Sequence, residues 1–235
     1  MQPSLLKVEP SFNFGYAKGM GGRQKGMAES ISPRRGDGSG GPKTPRTARG
    51  QRTRAKILDA ARIEFGQTGF SETSIVAITA RAEVALGTFY TYFDSKEEVF
   101  AALVSDMSQR VADAVAPAIA GLDDALRREE AALHAFLDFA GEHAEVYRII
   151  DEAEFVDPDG FERHYRGTAA RLRDRLAGGG GIAPADSDLE AEIRAWAVMG
   201  MYVFLGLRFS VWEREDPAKV AAIARSLIAD GLRNS

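Results

Sequence analysis

The chain has 235 residues, of which 45% are hydrophobic, so it can bury a sizeable core in one large domain or two small ones. It contains no cysteine, which excludes disulfides, thiolate metal sites and cysteine nucleophiles. The net charge of −4 is unevenly distributed, because residues 1–96 hold 15 Lys or Arg and 8 Asp or Glu, whereas residues 97–235 hold 15 and 26. This asymmetry indicates either a polyanion-binding part joined to a part with another task, or a basic tail without a partner.

Residues 1–50 are rich in glycine and proline, with 10 Gly and 5 Pro, and show no sustained periodicity. Such a segment cannot bury enough apolar surface to offset its ordering entropy, so we expect a disordered basic tail. The N-terminus lacks the continuous apolar segment of a signal peptide. The longest charge-free apolar run, residues 195–207, is shorter than the about 20 residues that span a bilayer. We therefore expect a cytoplasmic protein with no membrane partner.

From Thr53 onward the apolar residues recur at helical spacing, and no stretch alternates with the period of two that is typical of strands. The pattern predicts an all-α chain of about nine helices. The first ends at Gly69, two short helices follow, and Asp94 or Ser95 caps the fourth. Breaks at turns with glycine, aspartate or proline predict further helices at about 123–140, 143–155, 159–177, 187–213 and 217–233.

The most informative stretch is residues 69–100, which read GFSETSIVAITARAEVALGTFYTYFDSKEEVF. Two short helices separated by a tight turn form a helix-turn-helix, whose second helix can enter the major groove of DNA. The order and spacing of residues over 53–100 resemble the DNA-binding region of the TetR family of transcriptional regulators. The matching positions are Ile57, Leu58, Ala60, Ala61, Phe65, Gly69, Phe70, Thr73, Ser74, Ile78, Ala82, Val84, Gly87, Thr88, Phe89, Tyr90, Tyr92, Phe93, Ser95, Lys96 and Glu97.

The resemblance implies a helix-turn-helix DNA-binding domain at residues 51–97 and a helical ligand-binding and dimerisation domain at residues 98–235. It implies a repressor that binds palindromic operator DNA as a homodimer and is released by a small apolar, acyl or aromatic molecule. No enzymatic activity, cofactor or metal is expected. The three histidines agree with this expectation, since they are single residues on separate predicted helices and lack metal-ligand spacing.

Residues on and around the third helix are the candidate DNA contacts, because hydroxyl, phenol and cationic groups bind phosphates and base edges. Phe89 and Phe93 are expected to pack inward against Phe65 and Ile78, which leaves the other side of the helix for DNA. The candidates are Arg52, Thr73, Gly87, Thr88, Tyr90, Thr91, Tyr92 and Lys96. Each polar residue alone also suits an ordinary surface or capping role, so the inference depends on the set.

Two positions depart from the family pattern. Glu83 stands in the turn where the family usually has glycine, and Ala85 stands where it usually has a Ser or Thr cap. A non-glycine residue in a left-handed turn costs about 1–2 kcal/mol, and a missing cap costs about 0.5–2 kcal/mol. Two alternatives therefore stay open: a helical ligand-binding or lipid-handling protein that has lost DNA binding, and an architectural DNA-binding protein with little sequence preference.

The resemblance also implies dimerisation through the last two helices. An apolar stripe at three- to four-residue spacing follows the predicted helix 187–213, and residues 195–207 are apolar nearly all round. A matching face from a second subunit across a two-fold axis would cover it, whereas an intramolecular core explains only part of its width. The candidate interface residues are Phe204, Leu207, Val211, Val220, Ile223 and Leu227.

The middle helices supply a candidate effector pocket, because an interior rich in aromatic residues and methionine suits an apolar ligand. The candidate lining residues are Phe136, Phe139, Tyr147, Ile150, Glu154, Phe155, Tyr165, Trp196, Met199 and Tyr202. Each hydrophobic member also suits a plain core position. The arginines of the predicted helix 159–177 indicate a solvated face with acidic partners, and an anionic ligand such as an acyl-CoA is the alternative.

Overall fold

A computed structural model describes residues 45–177 and 180–232. Within those ranges the chain forms nine α-helices and no strand beyond an isolated β-bridge, which confirms the predicted all-α class. The helices are α1 (Ala48–Glu72), α2 (Ile75–Arg81), α3 (Leu86–Tyr92), α4 (Lys96–Ile119), α5 (Ala125–Glu142), α6 (Glu145–Val156), α7 (Pro158–Ala177), α8 (Asp188–Leu205) and α9 (Pro217–Leu232). The predicted disordered tail lies, up to residue 44, outside the described residues.

The start of α1 corrects the predicted boundary of that tail. Thr47 is the N-cap, and its Oγ1 accepts a hydrogen bond of 3.1 Å from the backbone N–H of Gly50. Residues 48–50 are therefore helical, and the tail boundary at residue 50 was wrong. One threonine among prolines and glycines is a weak signal in the sequence, although its side chain satisfies an N–H group that the helix itself leaves unpaired.

Local capping fixes the lengths of the helices around the helix-turn-helix. Gly69 has φ +84°, a left-handed conformation that favours glycine, and it interrupts α1 where the sequence predicts the end of the first helix. The Ser74 hydroxyl accepts a hydrogen bond from the N–H of Ala77 at the start of α2. Ser95 does the same for Glu98 at the start of α4. These caps define where the helices on either side of α3 begin.

Two hydrophobic clusters form the core of the described residues. The first joins α1, α2 and α3 to α4 and α6, and Phe65, Ile78, Phe89 and Phe93 are all buried within it. This confirms the predicted inward packing of the two phenylalanines of the third helix. The second cluster joins α5, α7, α8 and α9 to the C-terminal half of α4. Because α4 contributes to both clusters, it ties the helix-turn-helix to the C-terminal helices.

The helix α8 continues into a π-helical turn, Gly206–Trp212. The combined helix has 25 residues with a mean hydropathy of 1.3 in its most apolar window, so by length and composition it is long enough to cross a membrane. The charge-free run 195–207 considered in the sequence analysis covers only part of this longer helix. One third of that window is buried in the fold, so the same helix also serves as a core element.

Candidate nucleic-acid interface and internal cavity

The helix α3 buries one side and exposes the other. Phe89 is completely buried, whereas Leu86 and Tyr90 are each 47% exposed. Gly87 and Thr91 are exposed as well, and a Cβ atom added at Gly87 would meet no described atom within 4 Å. This outer side is therefore open to a large partner such as a nucleic-acid groove.

The turn before α3 retains both departures from the family pattern. Glu83 has φ +54°, which is the left-handed conformation expected where the family has glycine. Ala85 is the N-cap of α3 and supplies no side-chain hydrogen bond. Backbone bonds hold the turn instead, including the N–H of Val84 to the carbonyl of Thr79 at 3.1 Å. The turn thus has the helix-turn-helix conformation in spite of its unfavourable residues.

Lys96 has a different environment from the predicted phosphate contact. Its Nζ donates to the carbonyl oxygens of Phe70 at 2.7 Å, Thr73 at 3.0 Å and Ser71 at 3.4 Å. It also lies 4.3 Å from the centroid of the Phe70 ring. These contacts join the start of α4 to the end of α1 and to Thr73 after it. Lys96 therefore has an internal role in the domain, and its contact to phosphate stays a prediction.

Thr73 is also turned inward, since only 3% of the residue is exposed. Its hydroxyl donates to the carbonyl of Gly69 at 2.7 Å and lies 2.8 Å from the hydroxyl of Thr68. The predicted phosphate contact at Thr73 is therefore corrected to a role in the turn after Gly69. Of the other candidates, Arg52 is exposed on α1, while Thr88 and Tyr92 are half-buried.

A further cation, Arg54, lies beside α3. The guanidinium of Arg54 lies 5.2 Å from the centroid of the Phe93 ring, which places a positive charge next to the C-terminal end of α3. A basic residue in the first turns of a helix is common, so the sequence alone does not set Arg54 apart from its basic neighbours. Arg54 therefore joins Arg52 among the cations that α1 holds near the interface.

The helix α6 is hydrogen-bonded to the C-terminal end of α1. Arg148 donates to the carbonyl of Gln67 at 2.9 Å, and Glu152 accepts from the backbone N–H of Phe70 at 2.8 Å. Glu145 pairs with Arg62 one turn earlier on both helices. A Cβ atom at Gly66 would lie 2.5 Å from the Cβ of Glu145, so the two helices approach closely there. The position of α6 is thus coupled to the helix that carries the helix-turn-helix.

A cavity of about 380 Å³ lies among α4, α5, α6, α7 and α8. Its walls are mainly apolar, and its volume lies in the range of about 300–1,000 Å³ that is typical of small-molecule pockets. The cavity brings together six of the ten residues that the sequence predicts as pocket lining. These six are Phe136, Tyr147, Ile150, Tyr165, Met199 and Tyr202.

Four predicted lining residues lie outside this cavity. Phe139 is buried in the first cluster, with its ring centroid 4.6 Å from that of His143. Phe155 is 82% exposed, and Glu154 beside it is exposed too, because both lie one turn beyond the cavity on α6. Trp196 is 40% exposed and borders a smaller groove between α7 and α8. These positions are corrections to the predicted pocket.

Polar residues of α7 that the sequence analysis did not place in the pocket line one side of the cavity. They are His164, Thr168, Arg171, Asp174 and Arg175. The Nδ1 atom of His164 lies 2.6 Å from the hydroxyl of Ser108, and burial, followed by the charge of Arg171, lowers the pKa of His164 to about 4. Most of these residues recur at three- to four-residue spacing, which is a usable signal once the inward face of α7 is known.

A buried ion pair adjoins the cavity through Arg175. Glu129 of α5 is completely buried and accepts a hydrogen bond from Nε of Arg175 at 2.7 Å. The hydroxyl of Tyr202 donates to the same carboxylate at 2.8 Å, and burial, followed by the charge of Glu129, raises the pKa of this tyrosine. The network joins α5, α7 and α8, so a ligand that touches Arg175 or Tyr202 also contacts the core.

An apolar surface runs along the outer sides of α8 and α9. Phe204 is 67% exposed, Ile223 is 59% exposed and Leu227 is 66% exposed. Leu207, Val211 and Val220, the other residues predicted for a dimer interface, are half-buried. Exposed apolar patches of this kind mark association surfaces in soluble proteins.

Comparison with known proteins shows that the chain is similar to bacterial transcriptional regulators. Residues 57–103 match the family model described as bacterial regulatory proteins of the tetR family. The uncharacterized HTH-type transcriptional regulator YdgC of Bacillus subtilis strain 168 is 28% identical over 191 residues, which cover 79% of this chain and 95% of that protein.

Solved structures extend the similarity to the C-terminal helices. A TetR-like transcriptional regulator from Rhodococcus sp. RHA1 is 28% identical with a TM-score of 0.61, over 78% of this chain and 97% of that one. The fatty acid degradation regulator FadR from Bacillus halodurans has a TM-score of 0.65 at 18% identity, with the same coverage, and so shares the fold. Taken with the exposed outer side of α3, these matches support a TetR-family transcriptional regulator with a helix-turn-helix DNA-binding domain.

Proposed function

We propose that the chain is a cytoplasmic, ligand-responsive repressor that binds palindromic operator DNA as a homodimer and is released by a small apolar, acyl or aromatic molecule. Residues 51–97 form the DNA-binding domain in this proposal, and residues 98–235 form the ligand-binding and dimerisation domain. The observation that carries it is the double role of α6. One side of α6 lines the cavity through Tyr147 and Ile150, while Glu152 is bonded to α1.

The double role of α6 supplies a route from ligand to DNA. A molecule that fills the cavity pushes on the inner side of α6, and the hydrogen bonds of Arg148 and Glu152 pass the displacement to α1. In a symmetric dimer a small rotation of each α1 changes the separation of the two α3 helices. Half-sites in DNA have a fixed spacing, so binding weakens when the separation no longer matches.

The apolar surface on α8 and α9 is the proposed contact with a second copy of the chain. Dimers with two-fold symmetry present the same patch from both subunits, which suits a surface of similar apolar residues such as Phe204 and Leu227. Sedimentation velocity tests this directly: Phe204→Asp is expected to convert a dimer to a monomer. Phe155→Asp, at another exposed phenylalanine on α6, is the matched control and is expected to remain dimeric.

DNA binding is tested by selection, which does not require a known operator. The full chain is used to select duplexes from a random library, and the enriched sequence is then used in mobility-shift titrations. The proposal predicts an enriched sequence with two inverted half-sites. Enrichment without symmetry would instead support binding by a single domain.

A helical ligand-binding protein without DNA binding is the second candidate, and the strained Glu83 turn with its uncapped α3 is the observation that favours it. This candidate predicts no enrichment in the selection, together with ligand binding in the cavity. An architectural DNA-binding protein predicts retention of many unrelated duplexes and no response to small molecules.

A further inference from the structure

The charged residues that line the cavity differ in how their charges are compensated. Four carry a formal charge: Asp151 on α6, and Arg171, Asp174 and Arg175 on α7. Arg175 is paired with the buried Glu129 at 2.7 Å. Asp174 lies 3.9 Å from Arg173. In the described part of the chain, Arg171 and Asp151 have no carboxylate or cation within ion-pair distance.

Asp151 can lose its negative charge by binding a proton, because its carboxyl group has a neutral form. Burial, followed by the neighbouring charges of Glu154 and Glu152, raises the pKa of Asp151 and so favours that neutral form. Arg171 has no such option, since a guanidinium stays protonated in proteins. Its surroundings oppose its charge all the same, because burial and the nearby Arg175 lower its pKa. The cation at Arg171 is therefore a permanent charge at the cavity, not paired with a carboxylate in the described residues, that an anionic ligand can meet.

The position of Arg171 defines how such a partner enters. Its side chain is exposed and donates to the hydroxyl of Thr168 at 3.1 Å, so it borders the cavity where the cavity meets solvent. The same cavity is lined mainly by apolar residues, among them Val115, Leu172 and Met199. A molecule that satisfies both regions has one anionic end near Arg171 and a hydrocarbon part inside.

We propose that the effector is an apolar organic acid whose carboxylate pairs with Arg171 at the mouth of the cavity while its hydrocarbon part fills the interior. This inference rests on the proposed function, because it names the chemical class of the effector. Guanidinium binds carboxylate through two parallel hydrogen bonds, and such charge-assisted bonds are about twice as strong as neutral ones. An alcohol or an amine of the same length has no comparable partner at Arg171.

The test compares three probes that differ only in their head group: decanoate, decanol and decylamine. Isothermal titration of each into the full chain at neutral pH is expected to show decanoate binding about tenfold more tightly than decanol, as a charge-assisted pair predicts. Arg171→Gln is expected to remove this advantage and leave decanol binding unchanged, whereas Arg171→Lys retains part of it. Arg163→Gln, on the same helix but outside the cavity lining, is the matched control and is expected to bind like the unmodified chain.

Each other outcome overturns the inference, and a parallel mobility shift separates it from the proposed function. Equal binding of decanoate and decanol overturns the acid preference, and tightest binding of decylamine assigns recognition to Asp151 instead. If either neutral or cationic probe still releases DNA, the ligand-responsive repressor stands while the acid class is rejected. If no probe binds the folded chain, the inference is rejected, and release of DNA by other small molecules then decides the proposed function.

Discussion

Glu152 accepts a hydrogen bond of 2.8 Å from the backbone N–H of Phe70, a residue 82 positions earlier in the chain. The same carboxylate faces Gly69, where a Cβ atom would lie 2.7 Å from Oε1. Gly69 has φ +84° and ends the regular part of α1. A single side chain of the cavity-lining helix α6 thus holds the turn from which the helix-turn-helix begins.

Replacement of Glu152 by alanine is expected to lower the free energy of unfolding by about 1.5–3 kcal/mol, because a hydrogen bond to a charged acceptor is lost in a half-buried place. It is also expected to reduce the release of DNA by an effector, since α6 and α1 lose a connection. Urea unfolding and a mobility shift with added ligand measure the two effects. Glu154→Ala, two residues away and exposed, should change neither quantity; identical behaviour of both variants would contradict the proposed coupling.

Replacement of Lys96 by methionine separates an internal role from a phosphate contact. Because Nζ bonds three carbonyls of the α1–α2 connection, we expect the free energy of unfolding to fall by about 1–3 kcal/mol. We expect the slope of log K against log salt concentration for DNA binding to stay unchanged. Arg52→Met, at an exposed cation, should instead lower that slope by about 0.9 with little change in stability. The reverse pattern would restore Lys96 as a phosphate ligand.

Replacement of Glu83 by glycine is expected to stabilise the chain. Relief of the left-handed strain raises the free energy of unfolding by about 1–2 kcal/mol. The greater freedom of glycine in the unfolded chain lowers it by about 0.5–1 kcal/mol. A rise of the urea midpoint with an unchanged slope would match this expectation. Arg214→Gly, at the other described non-glycine residue with positive φ, should behave alike. A lowered midpoint for Glu83→Gly would mean that the carboxylate contributes contacts that outweigh the strain.

The stability of the fold is expected to depend on pH through His164. Burial, followed by Arg171, lowers its pKa from 6.5 to about 4, so the unfolded chain binds the proton more readily between these values. The neutral imidazole of His164 therefore makes its full contribution to the free energy of unfolding above pH 6.5. This contribution is lost as the pH falls towards 4, by up to about 3 kcal/mol. Urea unfolding at several pH values should show that the free energy of unfolding depends less steeply on pH in His164→Asn than in the unmodified chain. An equal dependence in both proteins would place the titration elsewhere.

The sequence predicts those features that depend on neighbours along the chain. Gly69, Ser95 and the buried Phe89 were predicted because helix caps, glycine breaks and three- to four-residue spacing are local. The six predicted pocket residues that line the cavity follow from the same periodicity, since each lies on the inner side of its helix.

Contacts between distant segments were beyond that reasoning. The ammonium group of Lys96 bonds Phe70, which precedes it by 26 residues, and no spacing rule reveals that proximity. Phe155 and Trp196 have the composition of pocket residues, but the ends of α6 and the packing of α8 turn them outward. For the arginines of α7 the sequence leaves a solvated face and an anionic ligand as alternatives, and the cavity beside Arg171 favours the ligand at that position.

The central claim is that the outer side of α3 reads DNA in duplicate from a symmetric dimer. Hydroxyl-radical footprinting of the full chain on its selected duplex tests this most directly, with Gly87→Glu as the variant, since a Cβ atom there meets no described atom within 4 Å. The account predicts two protected half-sites on one face of the duplex, about 10 base pairs or a multiple apart, and their loss in Gly87→Glu but not in Gly231→Glu. A single protected patch, or protection that survives a negative charge at Gly87, would contradict it.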